Sequence, residues 1–312
     1  MEKNGRKTKK SSITIFIVYL LIIGTLSYLT YNNYKEYKKL NKKNIIWKEN
    51  NKKLNVEYTE KIKEAETLKE DIKKYDDIDR TIENTKKEVF DLAKKVEEKI
   101  TKKETNYKIA YITFDDGPYE LTDNVLEVLK QKKVKATFFT IGAGKTSCID
   151  NRSKDCTETY KKIVDNGHTI ANHTYSHAIF NGLYSSSNNF INDISKQEDL
   201  IYSKTGIKTN IMRFPGGSST AKNIKDEIIQ KLRDKGYGWV DWTAEDGDGK
   251  YIASNEQAWN TFTRTVNDDI EVILFHDYNR ITYSILPDAI DYLEKNNYII
   301  LPLFYESKMI NK

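Results

Sequence analysis

Between Gly24 and Gly117 the chain has neither glycine nor proline, and all four prolines (Pro118, Pro215, Pro287, Pro302) fall in the last two thirds of its 312 residues. These two residue types punctuate regular backbone, so a stretch that long without them excludes a turn-rich domain there and favours long helices. Cysteine is also scarce. Cys148 and Cys156 are the only two, sitting in a polar insert, too few for a zinc knuckle without histidines beside them. Nor is there a large excess of one charge. The formal net charge is +5, of which residues 1–10 carry +4 and residues 35–106 another +4, leaving about −3 from Tyr107 onward. That last part has no concentrated basic face, which leaves nucleic-acid binding by it without support.

What is present begins with an uncharged run. From Ser11 to Tyr34 there is no charged residue, and the run is long enough for a helix to cross a bilayer. Its flank, MEKNGRKTKK, is basic and favours a cytoplasmic N-terminus. The sequence therefore predicts a basic tail over 1–10 and a single membrane anchor over 11–34, with the remainder outside the cell. A cleaved signal peptide is the alternative, but the run is long for one and lacks an A-x-A-like cleavage pattern. Residues 35–106 are rich in Lys, Glu and Asn. Ala65, Leu68, Ile72, Tyr75, Ile78, Ile82, Val89, Leu92, Val96 and Ile100 form one helical stripe. This reads as a stalk, either a coiled coil that pairs the chain with a second copy or a solvated spacer. The stripe breaks around Asn50–Asn55, so one rod of roughly 100 Å and a helical hairpin are both open.

From Lys108 the pattern changes to alternation. KIAYITF, VKATFFTIG, HTIANHT, NIMRFPGG, YGWVDW, IEVILFHD and YIILPLF read as strands, with helical spacing between them. Seven strands interleaved with helices predict an α/β fold with a parallel sheet, closed towards a barrel, over 107–312. In such folds functional groups gather at the C-terminal ends of strands. Asp115 and Asp116 end the first strand and His173 and His177 the third. Arg213 ends the fourth, Asp241 and Trp242 the fifth, and His276 the sixth.

Two adjacent carboxylates in ITFDDGP can be mere turn decoration. Four histidines make that reading poorer: His173 and His177, four apart, can share a metal if their turn is helical, and one carboxylate completes a catalytic zinc set with an open position. A metal lowers the pKa of its water towards about 7, and the second carboxylate can take the proton. His276 is then free to act as an acid. His168, in NGHTI, is outside this spacing and reads as structural.

TFDDGP, NHTYSH, RFPGG, VDW and ILFHD, in that order, resemble the polysaccharide deacetylase family (the NodB homology domain, carbohydrate esterase family 4). The resemblance covers roughly residues 107–306 and says nothing of anchor or stalk. It implies a distorted (β/α) barrel that hydrolyses N-acetyl groups of amino sugars in a polymer. By motif position, Asp115 looks like the general base, held ionised by Arg213, and Asp116, His173 and His177 look like metal ligands. His276 looks like the general acid, hydrogen-bonded by Asp241. Trp242 and Leu274 look like walls of the acetyl pocket. The third motif departs from the R-P-P-Y of many relatives: Gly216 keeps a backbone N–H for the oxyanion but offers no tyrosine to the sugar. The metal implied is zinc, with cobalt and manganese also compatible with two His and one Asp. With an anchor and stalk, the expected substrate is cell-wall peptidoglycan, N-acetylglucosamine before N-acetylmuramic acid. An exported N-acetylglucosamine or chitin-like polymer is the rival, and a non-catalytic wall-binding scaffold the reading from another class. Outside the cell, a Cys148–Cys156 disulfide is expected, contributing about 2–3 kcal/mol.

Overall fold

The computed structural model describes residues 5–76, 83–142, 158–304 and residue 307. Cys148 and Cys156, and with them the expected disulfide, lie outside the described residues. Two compact units emerge, Met1–Thr67 and Leu68–Lys312.

Helix α1 (Gly5–Asp76), which makes up most of the first unit and ends past its boundary, runs without interruption through Asn50–Asn55, so the hairpin alternative is not adopted there. It contains a stretch, within Ile15–Leu54, with a window of mean hydropathy 1.7, long and apolar enough to cross a membrane. Leu20, Leu21, Leu26 and Leu29 are all more than half exposed.

The second unit runs α2 (Glu83–Thr101), β1 (Lys108–Asp115), α3 (Thr122–Gln131), β2 (Thr137–Thr140), α4 (Glu158–Asp165) and β3 (Thr169–Asn172). It continues with α5 (Ser187–Thr205), β4 (Ile211–Met212), α6 (Lys225–Asp234), β5 (Gly238–Trp239) and β6 (Ala244–Glu245). The last elements are α7 (Asn255–Thr265), β7 (Ile270–His276), α8 (Arg280–Lys295) and β8 (Tyr298–Ile300). Every ladder is parallel, in the order β5-β4-β3-β2-β1-β7-β6. β8 pairs the first part of β1 at Lys108–Ala110, while β2 pairs its end at Thr113–Asp115. The result is a parallel half-barrel holding the seven expected strands. The two-residue β6, too short to show a period, is the addition.

Side chains alternate across a strand, so β1 separates two cores. Ala110, Ile112 and Phe114 join Val125, Leu129, Phe262, Phe275, Leu286 and Leu293 in a layer between sheet and helices. Ile109 and Tyr111 point the other way, to meet Phe139, Ala171, Ile211, Val240 and Val272. Leu92, Ala93, Val96 and Ile100 of α2, spaced to share one helical face, are buried in that second cluster. Tyr111 Oη donates to Glu97 Oε1 at 2.7 Å, tying helix to strand. The expected division at 106/107 therefore does not describe the packing: α2 is core of the second unit rather than stalk. The stripe from Ala65 to Val89 involves side chains outside the described ones.

Candidate active site

The second core continues upward into the polar rim by the same two-residue period. Tyr111 is followed on its face by Thr113 and Asp115, Ala171 by His173, Ile211 by Arg213, Val240 by Trp242, and Val272 by Leu274 and His276. The β1–β7 register places Asp115 directly opposite His276. A local rule of strand geometry thus delivers a carboxylate and an imidazole, 161 positions apart in the chain, to one edge. Asp116 breaks the alternation with φ of 69°, which lets it join its neighbour at the rim. Gly117 must follow: a Cβ there would collide with the buried carboxylate of Asp277, itself held by the Thr122 hydroxyl.

Asp115, Asp116, His173, His177, Gly216, Trp242, Leu274 and His276 all line one cavity of about 330 Å³. Asp116 Oδ1 lies 3.4 Å from His173 Nε2 and 3.1 Å from His177 Nε2, yet this buried oxygen has no hydrogen-bond partner. The ligand atoms of the three residues lie within 4.8 Å of one another. His173 Nδ1 is 2.8 Å from the Arg213 carbonyl oxygen and donates to it, which leaves the Nε2 lone pair turned to the cavity. Burial, with His173 alongside, lowers the pKa of His177. Burial opposes ionisation of Asp116, but His173, His177 and His276 outweigh it and hold the carboxyl well below the usual carboxylate range. An orphaned carboxylate oxygen facing two imidazole nitrogens fits a divalent ion with an open position. The His173–His177 turn is not helical as the spacing suggested. Thr174 and His177 both have positive φ, and this turn brings the rings to 5.0 Å between centroids.

Arg213 is fully buried, and four of its five N–H donors are spoken for. Nη1 donates to Asp115 Oδ1 at 2.8 Å and Thr113 Oγ1 at 2.7 Å, Nε to the Val240 carbonyl and Nη2 to the Asp241 carbonyl. The guanidinium also lies 4.3 Å from the centre of the Phe139 ring. The expected Asp241–His276 hydrogen bond is corrected by the structure. Asp241 is out of phase with Val240 and Trp242, so its carboxylate accepts instead from Ser218 N–H at 2.8 Å and Ser218 Oγ–H at 2.6 Å, bracing the RFPGG turn. Asp248 takes the place at His276, with Oδ1 2.7 Å from Nδ1 and Oδ2 accepting the His276 N–H at 2.7 Å. Burial alone would lower the imidazole's pKa. The charge and hydrogen bond of Asp248 prevail, with Asp116 and Asp115 adding to them, and push it up to about 10. His168 sits apart, accepting from Ala136 N–H and packing edge-on against Phe138.

The polysaccharide deacetylase family model matches residues 102–240. Over 197 residues the chain is 30% identical to a peptidoglycan-N-acetylglucosamine deacetylase of Bacillus cereus, covering 61% of this chain and 67% of that one. The chain belongs to the polysaccharide deacetylase family. As a polysaccharide deacetylase it is a hydrolase of amide bonds. The catalytic domain of a peptidoglycan N-acetylglucosamine deacetylase from Eubacterium rectale superposes with a TM-score of 0.59 at 31% identity, over 66% of this chain and 92% of that domain. The deacetylase is also 27% identical over 218 residues to a peptidoglycan-N-acetylmuramic acid deacetylase, PdaA, of Bacillus subtilis, covering 66% of this chain and 74% of that one.

Sequence reasoning missed Asp248 because it lies in a loop, AEDGDGK, where no period assigns a direction to a side chain. The available signal was a pair of acids separated by glycine just beyond a strand end. Glu245, Lys250 and Tyr278, which also line the cavity, left no signal of their own.

Proposed function

We propose that this deacetylase is membrane-tethered and removes acetyl groups from the amino sugars of cell-wall peptidoglycan, with N-acetylglucosamine as the target sugar. The observation that carries the reading is one cavity in which a carboxylate and an imidazole face each other across β1 and β7 beside an Asp–His–His set. Asp116, His173 and His177 would hold the ion, zinc in the first instance. When bound, the ion supplies a Lewis acid that lowers the pKa of a water and polarises the acetyl carbonyl. Asp115 is the base: Oδ1 is committed to Arg213, so Oδ2, 3.6 Å from His173 Nε2, is the oxygen that accepts a proton. His276 is the acid. Asp248 fixes its Nδ1, and Nε2, 3.8 Å from Asp116 Oδ2, keeps its proton at neutral pH for the departing amine. Gly216 lines the cavity and would offer its backbone N–H to the developing oxyanion. Trp242 and Leu274 bound the space for the acetyl methyl. Acetate and a free amine result.

The peptidoglycan substrate is supported by the names of the relatives and by the membrane-compatible stretch of α1 after a basic N-terminus. The test is acetate release from purified wall glycan by the full chain in detergent. Zinc-loaded protein should turn over, and chelator-treated protein should lose at least about a hundredfold, restored by added metal. Mass spectrometry of the treated wall then locates the sugar that lost its acetyl group. No acetate from wall glycan, while an exported N-acetylglucosamine polymer is hydrolysed, would shift the substrate to that polymer.

A polymeric substrate is also supported by where the second unit leaves large apolar side chains in water. Among its described residues these are Phe180, Tyr202 and Tyr251, and two of them, 95% and 88% exposed, directly follow the cavity-lining Ile179 and Lys250. An aromatic face covered by a sugar ring gains apolar burial at about 25 cal/mol per Å². Replacing Phe180 and Tyr251 together by alanine should raise KM for long glycan about tenfold, roughly 1.4 kcal/mol, and leave kcat on a disaccharide unaltered. Equal effects on both substrates would show that the aromatics do not extend the site.

A further inference from the structure

Behind His276 lies a second acid that the reaction does not use directly. Asp246 and Asp248 are both buried, in the loop between β6 and α7, and Gly247 between them has φ of 87°, which turns both carboxylates towards the first turn of α8. There a single hydroxyl meets both. Thr282 Oγ1 is 2.7 Å from Asp246 Oδ2 and 2.8 Å from Asp248 Oδ2. A hydroxyl owns one hydrogen and can donate to only one of two oxygens. The other oxygen is at hydrogen-bond distance with no proton in between, unless a carboxyl supplies it.

The donors decide which acid holds the proton. Asp248 already receives the His276 N–H and faces His276 Nδ1–H, so it is the site of negative charge. Asp246 receives the Asp248 N–H on Oδ1 at 3.1 Å, and its Oδ2 faces Thr282. The arrangement is satisfied throughout when Asp246 Oδ2–H donates to Thr282 Oγ1 and Thr282 Oγ1–H donates to Asp248 Oδ2.

We propose that Asp246, in its neutral form, is a positioning residue for the proton donor of the reaction: through Thr282 it orients the Asp248 carboxylate that fixes His276. The proposal rests on the reading of His276 as the acid. No proton is transferred along the chain of contacts during turnover. Asp246 acts by occupying the Thr282 lone pair, so that the threonine hydrogen points to Asp248. Two groups act on Asp246 from the elements packed around it, the Asp248 charge from its own loop and the Thr282 hydroxyl from α8. Burial first, then the Asp248 charge, pushes its pKa up to about 8. Above that pH the threonine hydrogen is contested by two anions and the hold on His276 loosens.

Full-chain protein in detergent, loaded with zinc, provides the test. Asp246→Ala should lower kcat about tenfold at pH 7 with KM unmoved. Asp246→Asn, whose Oδ1 and Nδ2 reproduce the acceptor and the donor of the protonated acid, should recover most of that loss. It should also abolish the decline in kcat expected of the natural protein above about pH 8. A readout without turnover runs beside it. A raised carboxyl pKa means that the folded state binds more protons than the unfolded one, so stability falls as pH rises from the unfolded value towards the folded one. Across pH 5–8 the melting midpoint of the natural protein should therefore fall relative to that of Asp246→Asn. Should Asp246→Ala fail to fold, Thr282→Val against Thr282→Ser poses the same question, with serine restoring kcat. Equal losses in the Ala and Asn variants, or parallel melting curves over that range, would overturn the proposal. Absence of any deacetylation, with the melting curves diverging as expected, would instead sink the function and spare the hydrogen-bond assignment.

Discussion

Asp115→Asn should lower kcat about a thousandfold while the protein keeps its metal. Loss of a general base costs on the order of 10²–10⁴ in rate. The asparagine retains an oxygen for Arg213 Nη1 but has no basic oxygen to offer the reacting water. Metal content should hold, because Asp116, His173 and His177 are the expected ligands and remain in place. The variant also leaves Arg213 buried without its counter-charge. Removing one partner of a buried ion pair costs about 3–5 kcal/mol, softened here by the Thr113, Val240 and Asp241 oxygens that still accept from the guanidinium. Folding at the assay temperature is therefore checked by circular dichroism before rates are compared. A folded, metal-replete variant with more than a tenth of the normal turnover would remove Asp115 from the base's role. An unaltered wall phenotype in cells carrying it would favour the scaffold reading.

Deleting α2 should cost the second unit its fold. A fragment starting at Tyr107 would look complete by composition, yet it strips Leu92, Val96 and Ile100 out of the inner core. Full burial of such a side chain stabilises by about 1.5–3 kcal/mol, so three amount to roughly 5–9 kcal/mol. That is comparable with the whole stability of an ordinary domain, about 5–15 kcal/mol. The fragment also loses the Glu97 carboxylate that accepts from Tyr111 Oη inside that core. A fragment from 83 onward should melt cooperatively, and one from 107 onward should be insoluble or bind hydrophobic dye without a melting transition. If both melt at the same midpoint, α2 is an ornament of the fold and not part of it.

These two predictions draw on different kinds of information. The first was within reach of the sequence, because strand ends are marked by local signals. Asp115, His173, Arg213 and His276 each follow a buried strand residue by two positions, and the two-residue period of a strand holds wherever the strand goes. Alternating strands and helices, a rim of ionisable groups and a helical N-terminal region follow from the same short-range rules.

Where a side chain finds its partner across space was not legible in this way. Asp241 was assigned to His276 because both stand at strand ends, but its phase turns it to Ser218. Asp248 reaches the imidazole from a loop, with Asp246 and Thr282 behind it. Helix α2 has the same stripe as the helical region before it, and the stripe alone is equally suited to a coiled coil or to a barrel core. Periodicity says which side of an element is apolar, because that depends on the backbone geometry of a few neighbouring residues. Loops have no such geometry, and an apolar face has no preferred partner until the chain closes on itself. The folded structure therefore decided the identity of the carboxylate behind His276 and the place where the second unit begins.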